Sequence, residues 1–445
     1  MDKLSRKEEK LLKELSSGVD MISLSAHSQA PIVSERIQDK KPWVFWGLDN
    51  LFPSKLISLS DNSALHSAIL DTKAKMIAGT HLVYESENSA AEKFFNEATE
   101  KWGGTNELIN RLAVDVAYFK GLTINVTYET SKKINGVRHF DFSTVRSGKI
   151  NTDNGLVENF YYSTRWDIAT RKTVYSPKDE IYRPKKLVAF DPSTFNSPDS
   201  KKGGQLIFSK AYSPSNSYYP KPSYIGGLSY IDIAAKIATF HKSQLDNGMT
   251  GNIHIHIPRD LSNKETRLKV LKGLKDNYAG VQNTGRILLT YGTGDANKPD
   301  VTPISNNGVH EALSSLNEKS NQEIVSSHAI PRQLAQLDLG TGFGGLELAQ
   351  SMAQFQTMSI SPSQGMIEDK LNAILKHNGI KEKVMIGRLE PSSPVLSEAL
   401  IKVSHTIDEI REMNKKQPLT DEVKGSEIPE TKSNGSSSDT DRTER

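Results

Sequence analysis

The sequence predicts an α+β fold in which a mixed helix and strand region is followed by two long helices that flank a smaller strand-containing segment. Between residues 64 and 119, apolar side chains recur at helical spacing. Between residues 122 and 210 they alternate with polar ones, as strands require. Beyond Ser223 two long helical patterns enclose short β-type runs. The change of pattern at Ser223 therefore marks a boundary between two regions of the chain.

The composition narrows the possible functions. A length of 445 residues corresponds to about two to four domains of ordinary size. The formal net charge of +3 excludes a strongly basic, sequence-reading nucleic-acid binder and an acidic solvating protein. Hydrophobic residues make up 36% of the chain, which is below the usual globular share. We therefore expect a core that is either thin or completed by partner chains.

The sequence contains no cysteine, which excludes disulfides, cysteine nucleophiles and cysteine-containing zinc sites. No apolar run reaches about 18 residues, so no membrane span is expected. The N-terminal residues carry too many charges for a signal peptide. These features fit a protein of a reducing compartment.

The first 41 residues are predicted to form an arm outside the compact fold. Residues 2–17 have the pattern of a short amphipathic helix. Its apolar stripe comprises Leu4, Leu11, Leu12 and Leu15. Such a helix either packs on a partner surface or is a solvated helix with frayed ends, and the sequence leaves both open. Residues 18–41 are polar and predict irregular structure.

The α+β region begins near Trp43. Pro53 is suited to the first turn of a helix, and Asp61 or Ser63 to the N-cap of the next, which ends near Gly79. Further elements are a helix at 107–119, ended by Gly121, and strands at 81–86, 123–129, 138–142, 158–166, 180–184 and 187–191.

Two long helices dominate the chain beyond Ser223. The first covers residues 227–247 and is stopped by Gly248 and Gly251. The second covers Val309–His328 and ends because Pro331 lacks a backbone N–H. Between them the patterns predict strands at 252–258 and 286–291 and a helix that runs from Ser262, with Glu265 as its capping-box partner, to about Tyr278.

The C-terminal quarter is predicted to be mostly helical. Its elements are a helix at 346–358, a turn at Pro362, a helix carrying Met366 to Leu375, a strand at 383–390 and a helix at 396–413. From about Gly425 the chain is rich in serine, aspartate and threonine, and such a composition buries too little surface to become ordered.

A glycine-rich run at Gly340–Gly345 satisfies the pattern G-x-G-x-x-G and precedes a helix. A dinucleotide fold requires a strand before this pattern and an acidic residue after a second strand. Here a proline-terminated helix precedes it, and the candidate acids Glu368 and Asp369 lie within a predicted helix. The pattern therefore favours a flexible loop over a cofactor site.

No other motif indicates catalysis. His254 and His256 alternate on a predicted strand, but no cysteine, HExxH motif or nearby carboxylate cluster supports a metal site. The chain contains neither a P-loop nor a G-x-S-x-G nucleophile elbow. We therefore expect no catalytic centre, no cofactor and no metal.

One local charge excess stands out. The segment from Asn252 to Gly280 carries an excess of three positive charges, as large as the net charge of the whole chain. The basic residues that matter here are Lys264, Arg267, Lys269, Lys272 and Lys275. They form either a solvated helix face or a contact for nucleic-acid phosphate or an acidic partner, and both interpretations stay open.

Several segments resemble the portal proteins of tailed bacteriophages, of the HK97-like and SPP1-like kind. The similar segments are DNSALHSAILDTKAKMIAG, GGLSYIDIA, EIVSSHAIPRQLAQLDLGTGFGG, MSISPSQGMIEDKLNAIL and IDEIREMNKKQPLTDEVKG. Their order and spacing, rather than any one motif, carry the resemblance, which spans roughly residues 50–425. One departure is Lys415-Lys416-Gln417, where the family commonly has a glycine.

The resemblance implies a ring, usually dodecameric, at one capsid vertex, through which double-stranded DNA passes during packaging and ejection. The implied regions are an N-terminal arm (1–41), an α/β wing (42–224), a first stem helix (225–251), a small α/β clip (252–305), a second stem helix (306–331), a tunnel loop with the helix after it (332–360), wing completion and a helical crown (361–425), and a disordered tail (426–445).

The resemblance also assigns two sets of site residues. The tunnel loop that faces the DNA channel would comprise Leu339, Gly340, Thr341, Gly342, Phe343, Gly344 and Gly345. The clip contacts with the motor or the DNA exit would be Lys264, Arg267, Lys269, Lys272 and Lys275. Phe343 would either touch DNA or anchor the loop to the wing.

The partners implied are other copies of the chain in a homo-dodecamer, double-stranded DNA bound without sequence preference, the terminase large subunit, a major capsid or scaffolding protein, and a head-completion or adaptor protein. The protein would belong to the virion, after assembly in the host cytoplasm, with no membrane contact. The alternatives are another capsid-associated adaptor or minor head protein and, resting on Gly340–Gly345 alone, a nucleotide-binding enzyme.

Overall fold

The computed structural model describes residues 19–21, 34–172, 180–246, 252–257, 287–291, 300–304, 309–335 and 345–389. Within these ranges the fold is α+β, as the sequence predicts. In chain order the helices are α1 (Phe52–Asn62), α2 (Ala64–Ala78), α3 (Ala90–Thr99), α4 (Gly104–Phe119), α5 (Trp166–Arg171), α6 (Pro198–Gly203), α7 (Leu228–Asp246), α8 (Val309–His328), α9 (Gly345–Phe355) and α10 (Ser361–His377), with a π-helical turn at Gln356–Ile360.

The strands belong to one large sheet, one small sheet and two short pairs. In chain order they are β1 (Val19–Met21), β2 (Glu35–Arg36), β3 (Phe45–Trp46), β4 (Leu82–Val83), β5 (Gly121–Tyr128), β6 (Ile134–His139), β7 (Val145–Ser147), β8 (Asn159–Tyr162), β9 (Lys185–Ala189), β10 (Gln205–Lys210), β11 (Asn252–Ile257), β12 (Ile287–Tyr291), β13 (Asp300–Ile304) and β14 (Met385–Ile386).

A six-stranded sheet forms the centre of the α+β region. Its order is β6-β5-β10-β9-β8-β7, and all neighbours are antiparallel except β9 and β10. Both faces of β5 are covered, so its polar side chains are buried as well as its apolar ones. They are satisfied by hydrogen bonds: Thr123 donates to the Phe140 carbonyl at 2.6 Å and Asn125 to the Gly203 carbonyl at 3.0 Å.

The main hydrophobic core lies between this sheet and helices α1, α2, α4 and α10. At one end of it Trp46 stacks on Tyr219, with ring centroids 4.6 Å apart, and meets the edge of Phe142 at 5.6 Å. A Cβ atom at Gly121 would lie 2.8 Å from Phe142 Cε1, so packing requires glycine there. The prediction that Gly121 ends α4 is wrong in detail. Lys120 is the C-cap, with φ of 58°, and Gly121 begins β5.

The long helices α7 and α8 pack against each other in antiparallel orientation. The beginning of α7 lies beside the end of α8, since a Cβ at Gly227 would meet Ser327. The second helix occupies the predicted Val309–His328, and the first ends one residue before its predicted limit. Apolar periodicity and the flanking glycine and proline signals are strong in both segments, which explains the close agreement.

A four-stranded sheet is formed by segments that lie between the long helices in sequence, together with one from the N-terminal part. Its order is β1-β12-β11-β13. The two inner strands are parallel, whereas β1 and β13 pair antiparallel at the edges. The strands predicted at 252–258 and 286–291 are confirmed. The participation of β1 was not predicted, because residues 18–41 read as irregular.

Residues 34–41 also differ from the irregular arm that the sequence predicts. Glu35 and Arg36 pair with β3. The Glu35 carboxylate accepts hydrogen bonds from the backbone N–H groups of Ser217, Tyr218 and Tyr219 at 2.7–2.8 Å. A carboxylate that accepts three backbone donors fixes this segment to the α+β region. The compact region thus begins before Trp43.

The turn predicted at Pro362 is wrong. The backbone continues from α9 through the π-helical turn into α10, and Pro362 lies in the first turn of α10. Proline removes the N–H that would bond to the residue one turn earlier. A π-helical turn directly before it changes the local hydrogen-bond spacing, so the helix absorbs the missing donor without breaking.

Some shorter elements were misjudged. The strands predicted at 81–86 and 383–390 are two-residue segments, β4 and β14, which pair with each other. The strand predicted at 180–184 is a 3-10 turn, Glu180–Tyr182, and pairing begins at Lys185. Helices α3, α5 and α6 were not predicted. The elements predicted at 262–278 and 396–413 lie outside the described residues.

Candidate functional site

The end of α8 is held where several elements of the molecule meet. Gly227 closes a 3-10 turn, Ile225–Gly227, that leads into α7, and a Cβ at this position would lie 2.7 Å from the Cβ of Ser327. The neighbouring Gly226 has open space around its Cα. Only the second glycine is therefore required for the close approach of the two long helices.

After His328 the chain leaves the helix through a residue of unusual conformation. Ala329 has φ of 50°, in the left-handed region, and its N–H donates to the Ser326 carbonyl at 3.0 Å. Ile330 is then buried in the main core, and Pro331 prevents a return to helix. A left-handed alanine is unfavourable, so burial of the residues on either side fixes this exit. The predicted helix end before Pro331 is confirmed.

A cluster of buried polar groups surrounds this exit. His66 Nδ1 and His328 Nε2 are 2.8 Å apart, and Lys73 Nζ donates to the His328 carbonyl at 2.7 Å. The Tyr224 ring stacks on His328, with centroids 4.8 Å apart, and its hydroxyl donates to the Tyr118 carbonyl. We call His66, Lys73, Tyr224 and His328 the stem-end cluster. It joins α2, the segment before α7 and the end of α8.

Burial sets the charge state of the stem-end cluster. Burial, together with the nearby Lys73 charge, lowers the pKa of His66 to about 4 and that of His328 to about 2. Both imidazoles are therefore neutral at pH 7. Burial also lowers the pKa of Lys73 to about 7, with repulsion from Lys120 as a second cause. The outer ring nitrogens, His66 Nε2 and His328 Nδ1, are buried and make no hydrogen bond.

A second, half-buried lysine lies near the first. Lys120 donates to the Ser363 hydroxyl at 3.2 Å, and burial lowers its pKa. Lys73 Nζ lies 6.0 Å from the centre of the Phe355 ring. Within the described ranges no ion pair joins either lysine to a carboxylate. The continuous helix formed by α9, the π-helical turn and α10 thus packs near buried Lys73 and half-buried Lys120.

A cleft of about 660 Å³ opens on the outer side of α4. Asp115 lies at its floor and accepts a hydrogen bond from His139 Nε2 at 2.7 Å and one from the Phe142 N–H at 3.2 Å. Burial raises the pKa of Asp115 to about 6, although the bond to His139 opposes this. Sequence reasoning missed this pair, because its members lie on different elements and match no motif. No nucleophile is joined to the pair by any hydrogen bond in the described structure, so it does not form a catalytic triad.

The residues that the resemblance assigns to sites lie mostly outside the described ranges. Leu339, Gly340, Thr341, Gly342, Phe343 and Gly344 are outside them, and Gly345 is the first residue of α9. Lys264, Arg267, Lys269, Lys272 and Lys275 are also outside them. The structure does describe the elements that flank both sets in the sequence. Helices α8 and α9 flank the glycine-rich run, and strands β11 and β12 flank the clip residues.

Two further predictions from the sequence concern a metal site and a membrane span. His254 and His256 lie on β11, opposite Thr302 and Asp300 of β13 in the strand register. In the described part of the chain no three histidine or acidic side chains are grouped so as to hold a metal ion. No helix in the same ranges is both long and apolar enough to cross a bilayer.

Comparison with known proteins supports the resemblance seen in the motifs. No family model matches the chain. It is 22% identical over 204 residues to the probable portal protein of Haemophilus phage HP1 (strain HP1c1), a match that covers 45% of this chain and 53% of that protein. The chain thus aligns with about half the length of that relative. The similarity that the motifs indicate is confirmed.

Two kinds of solved structure are similar in shape. The neck of an empty gene transfer agent particle, computed with C6 symmetry, matches with a TM-score of 0.49 and 12% identity, over 82% of this chain and 94% of the other. An HK97-family phage portal protein from Corynebacterium diphtheriae matches with a TM-score of 0.40 and 10% identity, over 75% of this chain and 93% of the other.

The contact between the long helices generates a prediction. Replacing Gly227 by Ala should lower the free energy of unfolding by about 1–3 kcal/mol, because the added methyl group would force α7 and α8 apart. Gly226→Ala, one residue away, should change it by less than about 0.5 kcal/mol, since its surroundings are open. Denaturant midpoints of both variants and the wild type measure this. Equal effects of the two substitutions would contradict the close approach at Gly227.

Proposed function

We propose that this chain is a portal subunit: a closed ring of identical copies, dodecameric, at one vertex of a phage capsid, through which double-stranded DNA is packaged and ejected. The observation that carries the proposal is the order of elements. An α+β region is followed by a long helix, a small sheet, a second long helix antiparallel to the first and a glycine-rich run. The sequence similarity to a probable phage portal protein supports the same conclusion.

Each proposed region contains its own set of the described helices and strands. The wing, 42–224, contains the six-stranded sheet and most of the main core, which α10 and residues of α7 and α8 complete. The stem helices, 225–251 and 306–331, contain α7 and α8. The clip, 252–305, contains β11, β12 and β13, and β1 from the arm pairs with it. Residues 332–360 contain the tunnel loop and α9, and residues 361–425 begin with α10.

The charge of the long helix α8 is compatible with a DNA channel that does not grip its cargo. Glu311 and Glu318 are exposed on it, beside a single exposed lysine, Lys319. Affinity for DNA rises steeply with each phosphate that is neutralised. A ring multiplies every exposed lysine by the number of subunits, so a basic stem would hold DNA tightly. An acidic face on α8 would let the double helix slide.

Exposed apolar side chains are consistent with burial between neighbouring copies. The largest exposed fractions are those of Tyr212 at 86%, Met358 at 78% and Ile181 at 69%. Leu316, in the middle of α8, is 37% exposed. A chain that packs between two neighbours would remove such side chains from water. Head-to-tail contacts that close on rotation give a ring.

The proposed partners follow from the same assignment. The clip would face the terminase large subunit and later the head-completion or adaptor protein, and the wing would face the major capsid or scaffolding protein. ATP hydrolysis would belong to the terminase, and the portal would have no catalytic centre, cofactor or metal of its own. Assembly would take place in the host cytoplasm, and the mature location would be the virion.

Two alternatives remain. Another capsid-associated adaptor or minor head protein would form a different ring or none. A nucleotide-binding enzyme would rest on Gly340–Gly345 alone. Detectable dinucleotide binding by the purified chain would support it.

The ring generates the first test. The purified full-length chain should form closed annular particles whose mass is about twelve times the 49.3 kDa of one chain. Mass photometry gives the mass, and negative-stain images give the shape. A compact monomer that persists at high protein concentration would refute the portal assignment. A ring of a different mass would favour another capsid-associated adaptor or minor head protein.

The clip residues generate a second test. Replacing Lys264, Arg267, Lys269, Lys272 and Lys275 together by Glu should reduce DNA packaging at least tenfold while rings still form, because like charges would repel DNA or an acidic motor surface. The readout is the amount of nuclease-protected DNA in assembled particles. The matched control replaces five lysines that are exposed in the described part of the chain, namely Lys40, Lys93, Lys101, Lys133 and Lys381. Normal packaging by the clip variant would contradict this role.

The glycine-rich run generates a third test. Deleting Gly340–Gly345 should lower DNA packaging or retention without blocking ring assembly, since flexible loops at an axis are useful around a DNA helix of different symmetry. Replacing the same six residues by a Gly-Ser segment of equal length serves as the control and should retain most of the function. Failure of the deleted chain to assemble would show that the run is structural instead.

A further inference from the structure

The stem-end cluster contains two histidines that meet in the core. Both are buried, and one comes from α2 and the other from the last turn of α8. We propose that His66 and His328 form a proton-operated latch, which holds the end of α8 on α2 near neutral pH and releases it in acid. The latch concerns how α8 is attached within one chain, so it does not depend on the portal assignment.

The geometry of the pair requires at least one neutral ring. A hydrogen bond between two imidazole nitrogens 2.8 Å apart needs an N–H on one and a lone pair on the other. Whichever ring donates, two buried nitrogens face no partner, His66 Nε2 and His328 Nδ1. Leaving these nitrogens without a partner costs free energy and so opposes the hydrogen bond between the rings. The latch is therefore a weak attachment that a small electrostatic change can open.

No group that faces the histidine pair in the described structure could offset the positive charge of an added proton. On α2 the nearest charged group is Lys73, whose ammonium bonds to the carbonyl of His328 itself. From α4 come Tyr118 and Lys120, and before α7 lies Tyr224, whose pKa burial raises, so that it stays neutral.

From the continuous helix α9–α10, the facing groups are the Phe355 ring and the Ser363 hydroxyl. Every facing group is thus neutral or cationic in the described structure. A protonated imidazole would lie next to Lys73 in a poorly solvated site, without a carboxylate to offset its charge.

The direction of the pH effect follows from linkage. Because burial lowers the pKa of His66 from 6.5 to about 4, the opened form binds more protons than the closed form between these values. The contribution of His66 to the closed state is therefore complete above about pH 6.5 and is lost as the pH falls towards 4. His328 acts in the same direction from about pH 6.5 and continues to lower pH, because burial lowers its pKa further, to about 2. Lys73 is protonated throughout this window, since its pKa is about 7.

Hydrogen–deuterium exchange of the full-length chain, in the form in which it assembles, tests the latch. Backbone amides of residues 316–330 are compared at pH 7 and pH 4.5 after correction for the intrinsic exchange rate, with residues 367–375 of α10 as an internal reference. The expected result is an opening constant for 316–330 that rises on the order of tenfold or more, while the reference changes much less.

Variants separate the latch from general acid sensitivity. The double variant His66→Asn with His328→Gln keeps amide donors and acceptors near the two bonded nitrogens but cannot titrate, and it should lose the acid-induced opening. His241→Gln, an exposed histidine on α7, is the matched control and should keep it.

Three outcomes would overturn the proposal: an acid response of 316–330 no steeper than that of 367–375, a folded double variant that still opens in acid, or a control variant that does not. Should the double variant fail to fold, the wild-type comparison alone decides. Ring mass, measured on the same samples, reports separately on the portal assignment.

Discussion

The C-terminal end of α8 is held in the main core by polar groups that find no carboxylate in the described chain. Lys73 donates to the last carbonyl of the helix, where the helix macrodipole is negative, and this partly offsets the loss of its hydration. The two imidazoles satisfy only each other. Burial of Ile330 and the stacking of Tyr224 on His328 therefore add apolar contacts to a weak polar attachment.

The attachment of the end of α8 also involves the elements around it. Gly227 brings α7 close enough to α8 for Tyr224 to reach the cluster. The Tyr224 hydroxyl in turn bonds to the end of α4, which leads directly into β5 of the six-stranded sheet. One end of the helix pair is thus joined to the sheet through a short chain of contacts. A long antiparallel pair fixed at one end can carry a small sheet at the other without a large core of its own.

The sequence predicts elements well where local signals agree. The bounds of α8 are correct because apolar periodicity, the helix end and Pro331 all indicate the same segment. Helix α3 was missed although Ser89 caps it through the Glu92 N–H, a capping-box signal in the sequence. The turn predicted at Pro362 is wrong because rules based on local sequence do not anticipate a π-helical turn before the proline. The irregular arm predicted around Glu35 is wrong because the three backbone groups that bind its carboxylate lie more than 180 residues away in the sequence.

Sequence reasoning could not find the stem-end cluster because, as with Glu35, its members lie far apart along the chain. His66 and His328 are separated by 262 residues, and Lys73 and His328 by 255. Neither histidine has a neighbour that marks it, and a histidine within an apolar helix face usually indicates only core packing. Its significance arises when folding places a second histidine and a lysine against it and leaves out every acid. A chain can bury such a set only where apolar contacts offset its cost, and here the cluster lies against residues of the main core.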